Sequence, residues 1–300
     1  MLLEHISCDL CASEDYIVRY RKPDNWLRGS LYQFCVVECL GCGLVYVNPR
    51  PTMESMKGFY PDGYHSERGA ERSAKRYAVQ KTLLPDLSGK RVLDIGCARG
   101  DFLSYLLNTG AVFEAHGVDA FSPGVSDQRI HFGRTLFTEV GYESGYFDLI
   151  MAWAVFEHLH RPKEYFSEAA RVLKRQGRLI ILVTNSESIY GRNAFAEDVP
   201  RHTYHYSKKS LSRYGEAAGL MLQSVDYRDD IFDGRGFGAF RFLAGKSIGF
   251  SWEKSMLDRL RLHHRIAMRV GSIVDKLVFS LHWEASLKRS GIMVATYEKT

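Results

Sequence analysis

The stretch Arg91-Val-Leu-Asp-Ile-Gly-Cys-Ala-Arg-Gly-Asp-Phe-Leu103 constrains the fold of this 300-residue chain more than any other. Val92, Leu93 and Ile95 make a short apolar run, Gly96 and Gly100 punctuate a turn, and Phe102, Leu103, Leu106 and Leu107 recur at helical spacing. The pattern predicts a strand, a tight turn and a helix, with glycines where a ligand approaches the backbone. About twenty residues later His116-Gly-Val-Asp119 ends in an acid. An acid at the tip of the second strand is placed to accept hydrogen bonds from ribose hydroxyls. The turn opens on Asp94 and lacks a Gly-x-Gly-x-x-Gly run, so it does not suit a pyrophosphate seated on a helix N-terminus.

Downstream, apolar runs and helical patterns alternate as a parallel, doubly wound α/β sheet requires. Strands are expected at 91–95, 115–118, 130–132, 147–152, 177–183, 222–227 and 292–297, and helices at 101–108, 163–174 and 208–218. Residues 231–290 interrupt this series before its last strand. Within them, 252–281 reads as a basic amphipathic helix, with Met256, Leu260, Ala267, Val270, Ile273, Leu277 and Leu281 interleaved with Lys254, Arg259, Arg261, Arg265, Arg269 and Lys276. Such a helix suits a lid, a dimer interface or peripheral contact with a membrane surface.

The N-terminal segment carries a separate signal. Four of the six cysteines, Cys8, Cys11, Cys39 and Cys42, form two Cys-x2-Cys knuckles separated by 27 residues. Each short spacer lets two thiolates face one ion, and the second knuckle completes a tetrahedron, so the pattern predicts structural zinc. A segment of about 50 residues is too small to hold a core alone, and a metal supplies the missing cohesion. A site with four thiolate ligands leaves no open position for catalysis. The expected organisation is a zinc ribbon over 1–50, a helical connector over 51–88, a core over 89–230 plus 291–300, and a helical insertion over 231–290. The chain has no apolar run of membrane-spanning length, and its first residues lack the pattern of a signal peptide, so a soluble, cytoplasmic protein is expected.

The stretch around Asp94 resembles the Asp-x-Gly-x-Gly-x-Gly motif of the class I S-adenosylmethionine (SAM)-dependent methyltransferases, with Ala98 where glycine is usual. The resemblance continues in Phe147-Asp-Leu-Ile-Met-Ala-Trp-Ala-Val-Phe-Glu-His-Leu-His-Arg-Pro162, in the segment from Ala170 to Leu182, and in Arg201-His-Thr-Tyr-His-Tyr-Ser207. It is nearest to the zinc-ribbon methyltransferases of natural-product and glycan pathways, and more distant to the ubiquinone-type O-methyltransferases. The resemblance implies a seven-stranded Rossmann-like sheet with an antiparallel last strand. It implies that Asp94, Gly96, Cys97 and Gly100 admit the methionine part of SAM, and that Asp119 holds the ribose. It places Gly133 at the adenine end and Trp153 near the cofactor.

His202, in a segment expected to close over the pocket, is the first candidate for a general base, with His158 second; an unperturbed imidazole titrates near neutrality. Tyr204, Tyr206 and Asn185 either contact the acceptor or pack. Glu157 and His158 resemble a pair that some ubiquinone-type relatives use, with a further acid, to bind a divalent metal. Position 154 is alanine, so no catalytic metal is expected.

The expected function is O-methylation of a sugar, glycan, lipid-linked or natural-product acceptor. A ribosomal RNA base methyltransferase is the first alternative, because one such group also carries paired knuckles. The ribbon is only modestly basic (Arg19, Arg21, Lys22 and Arg28 against Glu14, Asp15 and Asp24) and the whole chain carries +5, which argues against nucleic acid. A non-catalytic SAM-binding scaffold is the second alternative, and a homodimer through the insertion is compatible with both.

Overall fold

The structure, a computed structural model, describes residues 2–24, 32–60, 70–110, 113–189, 198–228, 230–231, 239–249 and 261–300. The N-terminal part contains β1 (Leu3–Glu4), β2 (Tyr16–Lys22), β3 (Phe34–Cys39), β4 (Val45–Val47) and β5 (Arg50–Pro51), then the helices α1 (Met53–Met56) and α2 (Ala70–Thr82). The core follows as β6 (Arg91–Ile95), α3 (Asp101–Asn108), β7 (Glu114–Val118), β8 (Ile130–Gly133), β9 (Phe147–Trp153), α4 (Pro162–Val172) and β10 (Leu173–Thr184). The remaining elements are β11 (Tyr204–His205), α5 (Lys208–Ala218), β12 (Leu220–Arg228), α6 (Ala239–Ser247), α7 (Leu262–Phe279), α8 (Trp283–Ser286) and β13 (Ile292–Lys299).

Seven strands form one sheet in the order β12-β13-β10-β9-β6-β7-β8. Only β13 runs antiparallel to its neighbours, pairing with β10 and β12. The central strands are buried on both faces, and their residues are accordingly apolar almost throughout, as in Leu149, Ile150, Met151 and Ala152. Local sequence sets the helix ends. α4 starts on Pro162, whose missing N–H costs nothing in a first turn, and it buries Tyr165, Phe166, Ala169 and Val172. α5 is opened by a reciprocal Ser207–Ser210 capping box and closed by Gly219 in the left-handed region at φ 74°. The seven expected core strands and three core helices all form. The largest boundary change is in β10, which starts at Leu173 and carries an irregularity between Leu173 and Arg178.

The expected boundary at residue 50 does not separate two sheets. The ribbon sheet has the order β11-β4-β3-β2, and β11 comes from the region after the fifth core strand. Tyr204 pairs with Tyr46 and His205 with Val45. The ribbon core of Phe34, Val36, Val45 and Val47 also packs with Met56 and Phe59 of the connector and with Val199. A two-residue strand gives no periodicity, so β11 could not be read from the sequence. In the insertion, α7 starts at Leu262; the part of the expected amphipathic helix over 252–260 lies outside the described residues.

Candidate active site

The parallel strand β6 lies between β7 and β9, the point where strand order reverses and where open α/β sheets bind ligands beyond their carboxyl ends. Gly96 has φ +69°, and a Cβ there would stand 2.5 Å from Cγ2 of Val155, so glycine is required on both conformational and steric grounds. Ala98 takes φ 50° in an exposed bend and donates its N–H to Oδ2 of Asp119 at 3.0 Å. Asp119 also accepts from the N–H groups of Phe121 at 2.8 Å and Ser122 at 2.9 Å through Oδ1. A carboxylate offers about four acceptor positions, which leaves room for a ribose hydroxyl beside these three bonds.

Asp94 is buried, and burial, with the nearby Asp119 charge, pushes its carboxyl well above the usual carboxylate range. Its Oδ1 has no hydrogen-bond partner among the described residues. Cys97 points its thiol back under the turn, toward Gly117, where a Cβ would come within 2.7 Å of Sγ. Cys97 is thus packed in the core, and only its backbone is available to a ligand. Trp153 is the last residue of β9 rather than beyond it; its ring meets Phe102 edge to face at 5.5 Å, and its indole Nε1 has no partner among the described residues. Gly133 accepts the Asp119 N–H at 3.1 Å, and a Cβ on it would meet only ordinary contacts, so no close approach demands glycine there. Two positive-φ glycines in the turn and the unpartnered polar atoms of Asp94 and Trp153 fit a polar ligand with an amino-acid part and a ribose.

The second half of the site begins beside the same turn. Val155 covers Gly96, and Glu157 and His158 follow in a short 3-10 turn. Glu157, His158 and His202 each offer one ligating atom, and the three lie within 4.8 Å of one another. The rings of His158 and His202 meet edge to face at 4.6 Å, and the Tyr60 hydroxyl lies 3.3 Å from Nδ1 of His158. Glu157 Oε2 and His202 Nδ1 are buried and have no partner among the described residues. Burial pushes the Glu157 carboxyl up to about 8 and drives the His202 imidazole well below its ordinary value, with the neighbouring His158 adding to the latter. At neutral pH Glu157 therefore holds its proton and His202 is neutral. Two nitrogens and one oxygen are also a donor set that a divalent cation can use.

His202 sits in a segment that is tied down by backbone hydrogen bonds. Its N–H donates to Asp198 O at 2.8 Å, Thr203 donates to Glu157 O at 2.8 Å, and Val47 donates to Thr203 O at 2.9 Å, so the ribbon holds this stretch on one side and the turn after β9 on the other. Beside it Arg201 is fully buried and forks onto Asp24, at 2.9 and 2.8 Å, and onto Asp198 at 2.8 Å. Arg201, Asp24 and Asp198 escaped the sequence reading because the pairing partners lie up to 177 positions apart. Tyr204 and Tyr206 pack: both are buried, stacked at 6.5 Å, and bonded to His160 O and Phe156 O. Asn185 is likewise buried and donates to Ser290 O at 2.9 Å. Their sequence signal, aromatic and polar residues near a strand end, is the same for a pocket wall as for a core.

At the far end of the ribbon, the Sγ atoms of Cys8, Cys11, Cys39 and Cys42 lie within 4.8 Å of one another, with 3.4 Å between Cys8 and Cys42 and 3.5 Å between Cys11 and Cys39. The two knuckles match: Ala12 donates to Cys8 O and Gly43 to Cys39 O, and both take positive φ, at 60° and 80°. Four converging sulfurs fit a tetrahedral ion.

Residues 67–225, more than half of the chain, match the protein family described as a methyltransferase domain. The chain belongs to that family. Over 161 residues the chain is 29% identical to the ubiquinone biosynthesis O-methyltransferase of Xanthomonas oryzae pv. oryzae, a match that covers 47% of this chain and 66% of that protein. It is 26% identical over 160 residues to the protein of the same name from an Azoarcus species, covering 46% and 67%. The chain thus spans about two thirds of the length of the curated relatives it matches. Among solved structures, it is similar to a chain in the complex of the Haloferax volcanii Trm112 methyltransferase activator with a methyltransferase (TM-score 0.53, 16% identity, 83% of this chain and 99% of that one). It is also similar to a SAM-dependent methyltransferase from Archaeoglobus fulgidus (TM-score 0.50, 18% identity, 76% and 94%). The chain has the class I fold of the SAM-dependent methyltransferases, with the seven-stranded sheet and reversed last strand described above.

Proposed function

We propose that this methyltransferase transfers the methyl group of SAM to a hydroxyl of a small-molecule acceptor: a sugar, glycan, lipid-linked or natural-product alcohol. The observation that carries the proposal is the buried His202, whose ring meets His158 edge to face at 4.6 Å, in the loop that begins with Val155 over Gly96. SAM, when bound, supplies a methyl carbon activated by its sulfonium. Asp119 holds the ribose, and the backbone of Gly96, Cys97 and Gly100 receives the amino-acid part, with Asp94 holding the turn. Gly133 would lie at the adenine end and Trp153 would pack near the cofactor. His202 takes the proton from the acceptor hydroxyl as its oxygen forms the bond to the methyl carbon. The carbon–sulfur bond breaks, its electron pair stays on sulfur, and S-adenosylhomocysteine leaves. His158 positions the His202 ring edge to face and is the second candidate for the proton. Alignment of donor and acceptor contributes the rest of the rate.

Two further parts belong to the proposal. Cys8, Cys11, Cys39 and Cys42 hold a structural zinc that fixes the ribbon and, through β4, the β11 segment beside His202. The insertion lies apart from the donor and base residues and supplies a contact surface of its own. The deciding experiment uses isotopically labelled SAM with a panel of sugar, glycan and polyprenyl-linked alcohols, followed by mass spectrometry. Label on acceptor oxygen supports the proposal; label on nitrogen or carbon, or calorimetric silence with SAM and S-adenosylhomocysteine, removes it. His202→Ala is expected to lower turnover while leaving SAM affinity near wild type.

A further inference from the structure

The helix α7 presents an apolar stripe that nothing among the described residues covers. Leu262, Ile266, Val270, Ile273 and Leu277 repeat at spacings of three and four residues, which places them on one face, and Leu281 extends the series past the helix end. Their exposures are 73, 52, 55, 60, 69 and 78%. The opposite face is fully engaged. His264, Gly271, Asp275 and Phe279 are buried, and a Cβ on Gly271 would lie 2.5 Å from Cα of Arg241, so α6 sits directly on this side. Asp275 fastens the two helices by accepting from the N–H groups of Phe240 at 2.8 Å and Arg241 at 3.1 Å. The stripe is therefore the outer face of a rigid helix pair and cannot reach the core without breaking these bonds.

The charges beside the stripe have one sign. Arg265, Arg269 and Lys276 are exposed along one flank of it, and Arg261 is exposed at its start. Arg241, Arg265 and Arg269, with Met268 and Ser272, also line a cavity of about 340 Å³ between α6 and α7. Among the described residues of 239–289, the acids are Asp275 and Glu284, exposed by 2% and 0%. A second copy packed on this face would set arginines against arginines with no described acid of the insertion exposed to pair them. A bilayer bearing anionic headgroups meets both needs: acyl chains receive the leucines and isoleucines, and phosphates receive the guanidinium groups.

We infer that the exposed face of α7 docks the protein on an anionic phospholipid bilayer, with the arginine-lined cavity receiving lipid phosphate. The surface lies outside the donor and base residues, so this inference stands or falls separately from methyl transfer. No helix among the described residues is long and apolar enough to cross a membrane, and an 18-residue helix of about 27 Å lies in the interface plane instead.

The test is co-sedimentation of the full-length, metal-loaded protein with vesicles of pure phosphatidylcholine and of phosphatidylcholine containing about a third phosphatidylserine. Partitioning should be roughly tenfold or more stronger on the anionic vesicles and should weaken as salt is raised. Leu277→Glu, and separately the Arg265→Glu/Arg269→Glu pair, should abolish the difference while SAM affinity and unfolding temperature stay at wild type; Leu277 is exposed, so its replacement leaves the core intact. Equal partitioning on both vesicle types would overturn the inference. So would a concentration-dependent dimer, measured by sedimentation velocity without lipid, that Leu277→Glu dissociates, because a second copy would then occupy the stripe.

Discussion

Arg201 clasps Asp24 through two hydrogen bonds of 2.9 and 2.8 Å, both side chains fully removed from water, and so joins the ribbon to the residue before His202. A buried charge left without its partner is costly, so Arg201→Ala should destabilise the protein by about 3–5 kcal/mol in urea unfolding. Arg201→Lys should recover only part of this, because an ammonium cannot reproduce the planar fork. A loss below about 1 kcal/mol, the range of an exposed pair, would show that the clasp is dispensable.

Glu157 and His202 should give stability an optimum between two opposing pH limbs. The Glu157 carboxyl is raised to about 8 in the fold, so its contribution is complete below its ordinary pKa and is lost as pH rises toward about 8. The His202 imidazole is depressed, so its contribution is complete above about 6.5 and is lost as pH falls toward its folded value. Glu157→Gln mimics the protonated acid and should flatten the alkaline limb, whose slope approaches about 1.4 kcal/mol per pH unit in the wild type. Thermal unfolding across pH, wild type against variant, checks this; identical alkaline limbs would remove Glu157 as their source.

Asp119→Ala should weaken SAM binding by about 1–3 kcal/mol, the range for losing hydrogen bonds to a charged acceptor. Calorimetry with S-adenosylhomocysteine reads the effect without turnover. Because the carboxylate also ties the N–H groups of Ala98, Phe121 and Ser122, the unbound variant should show faster amide exchange at these three positions. Unchanged affinity would move the ribose elsewhere.

Ala98 sits at φ 50° without needing its methyl. Ala98→Gly should raise stability by about 1 kcal/mol, since the left-handed region costs an L-residue roughly that much more than glycine. Donor affinity should hold or improve. A destabilised variant would mean that the alanine methyl makes a contact the bend does not show.

Local rules carried most of the core. The run Val92, Leu93 and Ile95 is apolar because β6 is buried on both faces, and the Gly96–Gly100 turn needs left-handed backbone, so both left a trace in residue type. The cysteine knuckles were legible for the same reason: two thiols two residues apart have few other geometries. The histidines at 158 and 202 were visible as chemistry but not as neighbours.

What composition and spacing settled is the sheet, the glycine turn after β6 and the four converging sulfurs, each a product of interactions within a few residues or of a strict period. The three-dimensional packing alone decided that Tyr204 and His205 complete the ribbon sheet, that Asp24 finds Arg201, and that Glu157 and His202 are buried together. These contacts join segments far apart along the chain, and their energies depend on exclusion from water, which no local pattern encodes.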